Sequence, residues 1–396
     1  MSNAETTSRL EKALANLTDW LESAALPLWS SAGVESTTGG FHERIGQDGQ
    51  PVVADNRRAR VQPRQLYCFS AAHLRSLPGD WDTIVRNGLT YFEHTFRKHD
   101  GLYGALASPQ GELINPDYDL YNQAFALFSF SQVAASFPDA TMRMEEKAVE
   151  LLRLLTTHHK HPSAGFEHSD PPSLPLCSNP HMHLFEAALA WEALAERPQV
   201  WTELADEIAN LALTKFIDAQ SGGLREFFDH DWNPHPSEQG RIMEPGHQFE
   251  WAWLLARWGA LRNNAAAIAK AERLFEIGIS YGMSADGKVA VMSLYDDFSV
   301  HDAVARMWPQ TEWLKAATKL AVVGSPQKRA HYVASATQAA DAFLEFLRTP
   351  VRGLWYDKRL PDGRLVDEPA PASTFYHILC AIYEARDNFD ALQKAS

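Results

Sequence analysis

Residues 246–261 read GHQFEWAWLLARWGAL. Wound at 3.6 residues per turn, this stretch carries apolar side chains nearly all the way round, so as a helix it is packed on both sides. STFYHILCAIYEA, residues 373–385, has the same character. Both follow a proline, Pro245 and Pro371, and the proline recurs as Pro63, Pro116, Pro180, Pro245, Pro309 and Pro371, at intervals of about sixty residues. Proline suits the first helical position because its missing N–H has no partner there and its fixed φ is already helical. Each of these prolines is therefore read as a helix start.

A second mark recurs in step with the first. Gly40-Phe41, Gly101-Leu102, Gly165-Phe166, Gly223-Leu224, Gly287-Lys288 and Gly353-Leu354 each open a short alternating run, several with turn formers such as Asp48-Gly49 and Asp362-Gly363 that indicate small hairpins. Between successive units lies a more conventional amphipathic helix, with Met144, Ala148, Leu151, Leu152 and Leu155 on one face, or Tyr332, Ala336, Ala339, Phe343 and Leu347. A first helix near residues 7 to 28 and a last near 372 to 386 bring the total to about twelve, alternately two-sided and one-sided. Six two-sided helices ringed by six one-sided ones make an all-α, closed (α/α)6 barrel, a single domain over residues 1–396, with short β-hairpin loops at the active-site end. An open solenoid of helix pairs is the competing architecture.

The chain has 396 residues, 45 % of them hydrophobic, and 36 Lys+Arg against 50 Asp+Glu give a formal net charge of −14. With no run of five basic residues, neither nucleic acid nor an anionic membrane is an expected partner. Cys68, Cys177 and Cys380 are far apart and form no CxxC, which argues against a disulfide framework or a cysteine zinc site. The polar, acidic start and the lack of a long uncharged apolar stretch read as cytoplasmic. A homo-oligomer stays open.

If the inner helices begin at one end, the residues after each proline converge on one cavity. They are polar: Arg64; Asp119, Tyr121 and Asn122; His181, His183 and Glu186; His247 and Glu250; Trp308, Gln310 and Glu312; Ser373, Tyr376 and His377. Polar groups in a nearly apolar helix are either hydrogen-bonded within the core or exposed to a cavity. His247 and His377, at matching places, have an ordinary pKa of about 6.5 and can exchange protons at neutral pH. Glu250, one turn beyond His247, can orient its ring or hold a hydroxyl, and Arg64 can stabilise an oxyanion. Proton abstraction beside a sugar carbonyl uses this combination. Three rivals draw on the same residues: a metal site at His247 and Glu250, a glycoside hydrolase with two facing carboxylates among Asp119, Glu186, Glu250 and Glu312, and a noncatalytic sugar-binding protein.

NPHMHLFEAALA (179–190), EPGHQFEWAWLL (244–255), WPQTEWLKA (308–316) and FYHI (375–378) resemble the N-acylglucosamine 2-epimerase family, which also contains cellobiose 2-epimerases and mannose isomerases. The resemblance spans essentially the whole chain. It implies an (α/α)6 barrel and cofactor-free, metal-independent proton transfer at C2 of a free aldose through an enediol. His377 and His247 then become the acid/base pair, Arg64 in PRQLY the cavity arginine, with Arg58 and Arg60 close by, and Glu250 and His183 substrate-holding or ring-opening partners. Trp308 is the pocket aromatic, and Asn179, Glu186, Glu312, Asn122 and Tyr121 complete the expected substrate contacts. Short loops favour a monosaccharide, with mannose and fructose first and N-acetylglucosamine and N-acetylmannosamine second. No Gly-rich phosphate loop marks a phosphorylated substrate or a nucleotide effector.

Overall fold

A computed structural model describes residues 3–394. Among the described residues the chain forms thirteen α-helical segments, of which α1 (Asn3–Trp20) and α2 (Leu26–Ser31) are one continuous helix joined through a π-turn, Leu21–Ala25. The two-sided helices are α3 (Val61–Leu74), α5 (Leu120–Ser136), α7 (Ser178–Glu192), α9 (Pro245–Leu261), α11 (Met307–Val323) and α13 (Ala372–Lys394). Each packs on the next, and α13 packs back on α3, so the ring is closed and the solenoid is excluded. Outside them lie α4 (Trp81–Phe96), α6 (Thr141–His158), α8 (Gln199–Leu211), α10 (Ala265–Tyr281) and α12 (Arg329–Phe346), with α1 completing the outer layer between α12 and α13. This is the (α/α)6 barrel that the proline and glycine periods predict. No helix of the described residues is long and apolar enough to cross a membrane.

The prolines sit less uniformly than expected. Pro245 opens α9, but Pro63, Pro180 and Pro309 occupy the third position of their helices, Pro371 lies just before α13, and Pro116 precedes α5 by four residues. The N–H groups of the whole first turn lack intrahelical partners, so proline is tolerated throughout it. At α5 the cap is Asp119, whose side chain accepts from the Tyr121 N–H at 2.9 Å. Leu347 falls just past the end of α12 and is half-buried.

The short strands stitch neighbouring repeats together. Every segment leading into an inner helix pairs antiparallel with a segment of the next repeat: Arg57–Arg58 with Leu106–Ala107, Asp119 with Ser169, Leu176–Cys177 with Phe227–Phe228, Ile242–Met243 with Leu294 and Tyr295, and Ala305–Arg306 with Lys358–Arg359. Ala370–Pro371 pairs with Arg44–Ile45 and closes the circle. All six inner helices therefore start at the stitched end.

A second repeated device, present in five of the six units, explains part of the polarity seen in the sequence. The Gln62, Gln123, Gln248 and Gln310 amides each accept from the N–H and donate to the C=O of one residue in the neighbouring Gly segment, namely Phe41, Tyr103, Leu224 and Ala290, at 2.8 to 3.0 Å. His181 takes the same place in the third repeat: its Nε2 accepts from the Phe166 N–H at 3.0 Å and its Nδ1 lies 2.9 Å from the Cys177 carbonyl. These buried side chains satisfy strand ends that would otherwise be orphaned. His181 is thus structural.

Candidate active site

The stitched end opens into a cavity of about 250 Å³. Arg64, Tyr121, Asn179, His183, His247, Glu250, Trp308 and His377 line it, as the sequence predicts. Glu186, Glu312 and Asn122 do not. All three are buried and do not form its wall, and the two glutamates hold other site residues from beneath it. The helical register explains this, because Glu186 and Glu312 lie on the turn below the first and point toward the barrel axis.

The two histidines share one geometry. His247 Nδ1 lies 2.9 Å from Glu226 and 3.7 Å from Glu244; His377 Nδ1 lies 2.9 Å from Glu312. An ionised carboxylate only accepts, so each Nδ1 carries a hydrogen and Nε2 is the nitrogen left for the cavity. Trp308 lies between them, its ring centroid 5.1 Å from His247 and 5.8 Å from His377.

Their charge states differ. Burial alone would lower the pKa of His247, but the Glu226 and Glu244 carboxylates raise it to about 10 and keep the ring an imidazolium. His377 is driven well below its ordinary value by burial, by Arg64 and by Lys315. At one pH the pair thus offers one charged and one neutral ring, a division that suits acid and base roles.

Around them the site is strongly polar. Arg64 donates to the Ser373 carbonyl at 3.0 Å and to the Tyr121 hydroxyl, stacks 4.0 Å over Phe125, and forms no ion pair among the described residues. Burial, Glu312 and Glu186 push the Glu250 carboxyl well above the usual range, and neither of its oxygens has a hydrogen-bond partner within the protein. It is a neutral acid facing the cavity. His183 Nδ1 lies 3.2 Å from Glu186, and burial pushes His183 down to about 4, so it is a neutral donor. Glu186 also accepts from the Tyr376 hydroxyl.

Several wall and support residues escaped the sequence reading. Arg306 ends a stitching strand, Glu244 is the residue just before α9, and Glu226 comes from the Gly segment of the same repeat, so no helical period points to them. Lys315 follows Glu312 by one turn in WPQTEWLKA, and its sequence signal was a lysine inside an otherwise apolar helix.

Two overlapping buried groups, His183 with Glu186 and Glu250, and Glu250 with Glu312 and His377, bring ligand-type atoms close enough for a metal. Their charge is already countered by the Lys315 ammonium, 2.6 Å from Glu312, which disfavours a dication there. In a third group, His161 is committed: its Nδ1 faces the Ser163 N–H and Trp232 Nε1–H and its Nε2 lies 3.0 Å from the His230 carbonyl. Of the four carboxylates weighed for a glycoside hydrolase, Glu186 and Glu312 lie beneath the wall and Asp119 caps α5, which leaves Glu250; the other wall carboxyl, Glu244, is 3.7 Å from His247 Nδ1.

Two buried, carboxylate-held histidines facing one cavity of an (α/α)6 barrel make a site suited to moving protons. Residues 39–381 match the family model of N-acylglucosamine 2-epimerase, and the chain belongs to that family. It is 57 % identical to a mannose-6-phosphate isomerase of Rhizobium meliloti (strain 1021), covering 94 % of this chain and 96 % of that protein. It is 24 % identical to a D-mannose isomerase of Pseudomonas cannabina pv. alisalensis, over 70 % and 72 % of the two chains. The solved cellobiose 2-epimerase of Spirochaeta thermophila DSM 6192 superimposes with a TM-score of 0.85 at 20 % identity, covering 97 % and 98 %. The protein is an enzyme of the isomerase class, a sugar isomerase or epimerase.

Proposed function

We propose that the enzyme interconverts mannose and fructose, moving a proton between C2 and C1 of the open-chain sugar through a cis-enediol. The observation that carries this reading is the pair of carboxylate-held histidines on either side of Trp308, one neutral and one charged. His377 Nε2 takes the proton from C2 while His247 Nε2–H protonates the carbonyl oxygen at C1, and electrons of the C2–H bond become the C1=C2 double bond. His247 then recovers the O2 proton as the C2 carbonyl forms, and His377 returns its proton to C1. Arg64 stabilises negative charge on the enediol oxygens, and the neutral Glu250 and His183 hold sugar hydroxyls and assist ring opening. No cofactor or metal enters these steps, and we read the substrate as a freely diffusing cytoplasmic monosaccharide.

A phosphorylated mannose is a second reading. Arg58, Arg60, Arg64 and Arg306 line the cavity, toward which six helix N-termini point, and guanidinium groups and helix N-termini both favour an anion in the absence of a Gly-rich loop. The test is incubation in D2O with mannose, mannose 6-phosphate, N-acetylmannosamine and cellobiose, followed by NMR. Mannose is expected to yield fructose, and [2-²H]mannose to leave deuterium at C1 above background. Exclusive turnover of the phosphate ester would transfer the assignment to the second reading, and C2 epimerisation of N-acetylmannosamine alone would make the enzyme a 2-epimerase on the same residues.

A further inference from the structure

One buried charge has no part in the steps above. Lys315 is wholly inaccessible, as is Glu312, and their Nζ–Oε2 separation is 2.6 Å. The other Glu312 oxygen lies 2.9 Å from His377 Nδ1, and the lysine ammonium sits 3.9 Å from the Trp253 ring. A buried lysine is expensive to maintain, and this one is held charged, against its burial, by Glu312 first and by Glu186. The base thus leans on a carboxylate that is itself neutralised from behind.

His247 provides an internal comparison. Its carboxylate, Glu226, is contacted by the Ser178 hydroxyl and the Glu244 N–H, with no lysine or arginine in ion-pair reach among the described residues. Two histidine–carboxylate pairs of equal length therefore differ in the lysine behind Glu312, alongside the second carboxylate, Glu244, near His247 and the Arg64 guanidinium near His377. Where the lysine is missing the ring is an imidazolium; where it is present the ring is neutral.

We propose that Lys315 is a positioning residue for the reaction, compensating the Glu312 charge so that this carboxylate orients His377 through Nδ1 while the ring stays a neutral base. Electrostatics gives the reason. Seen from His377, a lone carboxylate attracts a proton to the ring, whereas a carboxylate–ammonium pair is close to a dipole and attracts it far less. The other groups around His377 are Arg64 on α3, His183 and Glu186 on α7, Glu250 on α9 and Tyr376 on α13 itself. Arg64 works in the same direction as Lys315 and Glu186 opposes them; Glu250 and Tyr376 are uncharged at neutral pH, and neutral His183 adds little. Lys315 is the member of this set that contacts the carboxylate directly.

The lysine also lines a second cavity of about 520 Å³, at the opposite end of the barrel, which leaves room for a longer side chain. The inference rests on the assignment of His377 as the base, so the test separates the two. The dependence of kcat/KM on pH is measured for the wild type, Lys315→Met, Lys315→Arg, Glu312→Gln and the double variant Lys315→Met/Glu312→Gln. NMR titration of the His377 ring, identified by its loss in His377→Asn, gives a readout independent of turnover. Lys315→Met is expected to move the acidic limb and the ring titration upward by about one pH unit or more, so kcat/KM falls about five-fold or more at the wild-type midpoint and is little changed on the alkaline side. Lys315→Arg keeps the wild-type profile, and adding Glu312→Gln to Lys315→Met brings the limb back down. Should Lys315→Met fail to fold, Glu312→Gln alone, which leaves the lysine uncompensated, must move the limb downward. Superimposable profiles and titrations of folded Lys315→Met and wild type, or an unmoved limb in Glu312→Gln, overturn the role of Lys315. Wild-type turnover in His377→Asn would instead remove the base assignment beneath it.

Discussion

The imidazolium at His247 is created chiefly by one neighbour that can be exchanged without changing its shape. Glu226→Gln keeps an acceptor for the Nδ1–H at the same 2.9 Å and removes the charge, while Glu244 stays at 3.7 Å. A unit-charge pair about 4 Å apart is worth ~4 kcal/mol at the effective dielectric of ~20 that suits protein sites. At 1.36 kcal/mol per pKa unit, partial screening and the remaining Glu244 leave a loss of about two units. The His247 titration, now at about 10, is then expected at about 8 or below. The sign follows from its role. As the acid, His247 must be protonated, so kcat/KM falls as pH rises through its pKa, and the basic limb of the variant moves toward neutrality. The acidic limb belongs to His377 and stays where it was. The assay is kcat/KM from pH 5 to 10.5 on the confirmed sugar, with circular dichroism at each end to verify folding. A basic limb that stays near pH 10 in folded Glu226→Gln, with His247→Asn inactive, would show that the charge on His247 is not set by Glu226 and would refute the reasoning.

Removing either ring should be more damaging than retuning it. His377→Asn and His247→Asn are each expected to lower kcat by at least ~10² with circular dichroism unchanged, the usual size for a positioned acid or base. Because Lys315 already balances the buried carboxylates, exhaustive chelation should leave turnover intact and elemental analysis should find no stoichiometric metal; activity lost to EDTA and restored by Mn²⁺ would make Glu250 and the histidines ligands. Gln123→Ala orphans the Tyr103 N–H and C=O and should cost about 2 kcal/mol of stability in urea denaturation, with KM almost unchanged.

The ring of helices was legible because its signals are local. Proline at a helix start, glycine at a turn and two-sided apolarity in GHQFEWAWLLARWGAL each report on a few consecutive residues, and six repetitions average out the errors in any one. Convergence of Arg64, His183, His247, Glu250, Trp308 and His377 followed from the same period. What the pattern could not separate was depth. His181 and Gln310 appeared in the same register as site residues, yet like Gln62, Gln123 and Gln248 they bind the Gly segments, a distinction set by which side of a two-sided helix a polar group occupies. Glu186 and Glu312 lay one turn too deep to touch a ligand. The charge difference between two like histidines depends on contacts between segments far apart in the chain, Glu226 with His247 and Glu312 with His377, which no single-sequence period encodes.

The pairing of Ala370–Pro371 with Arg44–Ile45 has a further effect on how the enzyme comes into being. Linear repeat arrays can nucleate anywhere and gain stability one unit at a time, with end units specialised to face water. Here no unit is an end, and five docked repeats still present an open apolar flank on each side. The sixth unit supplies both the closing strand and, on α13, His377, the proposed base. With His377 as the proposed base, closing the ring is also what sets it across from His247 and Arg64, so the cavity is complete only when the circle is.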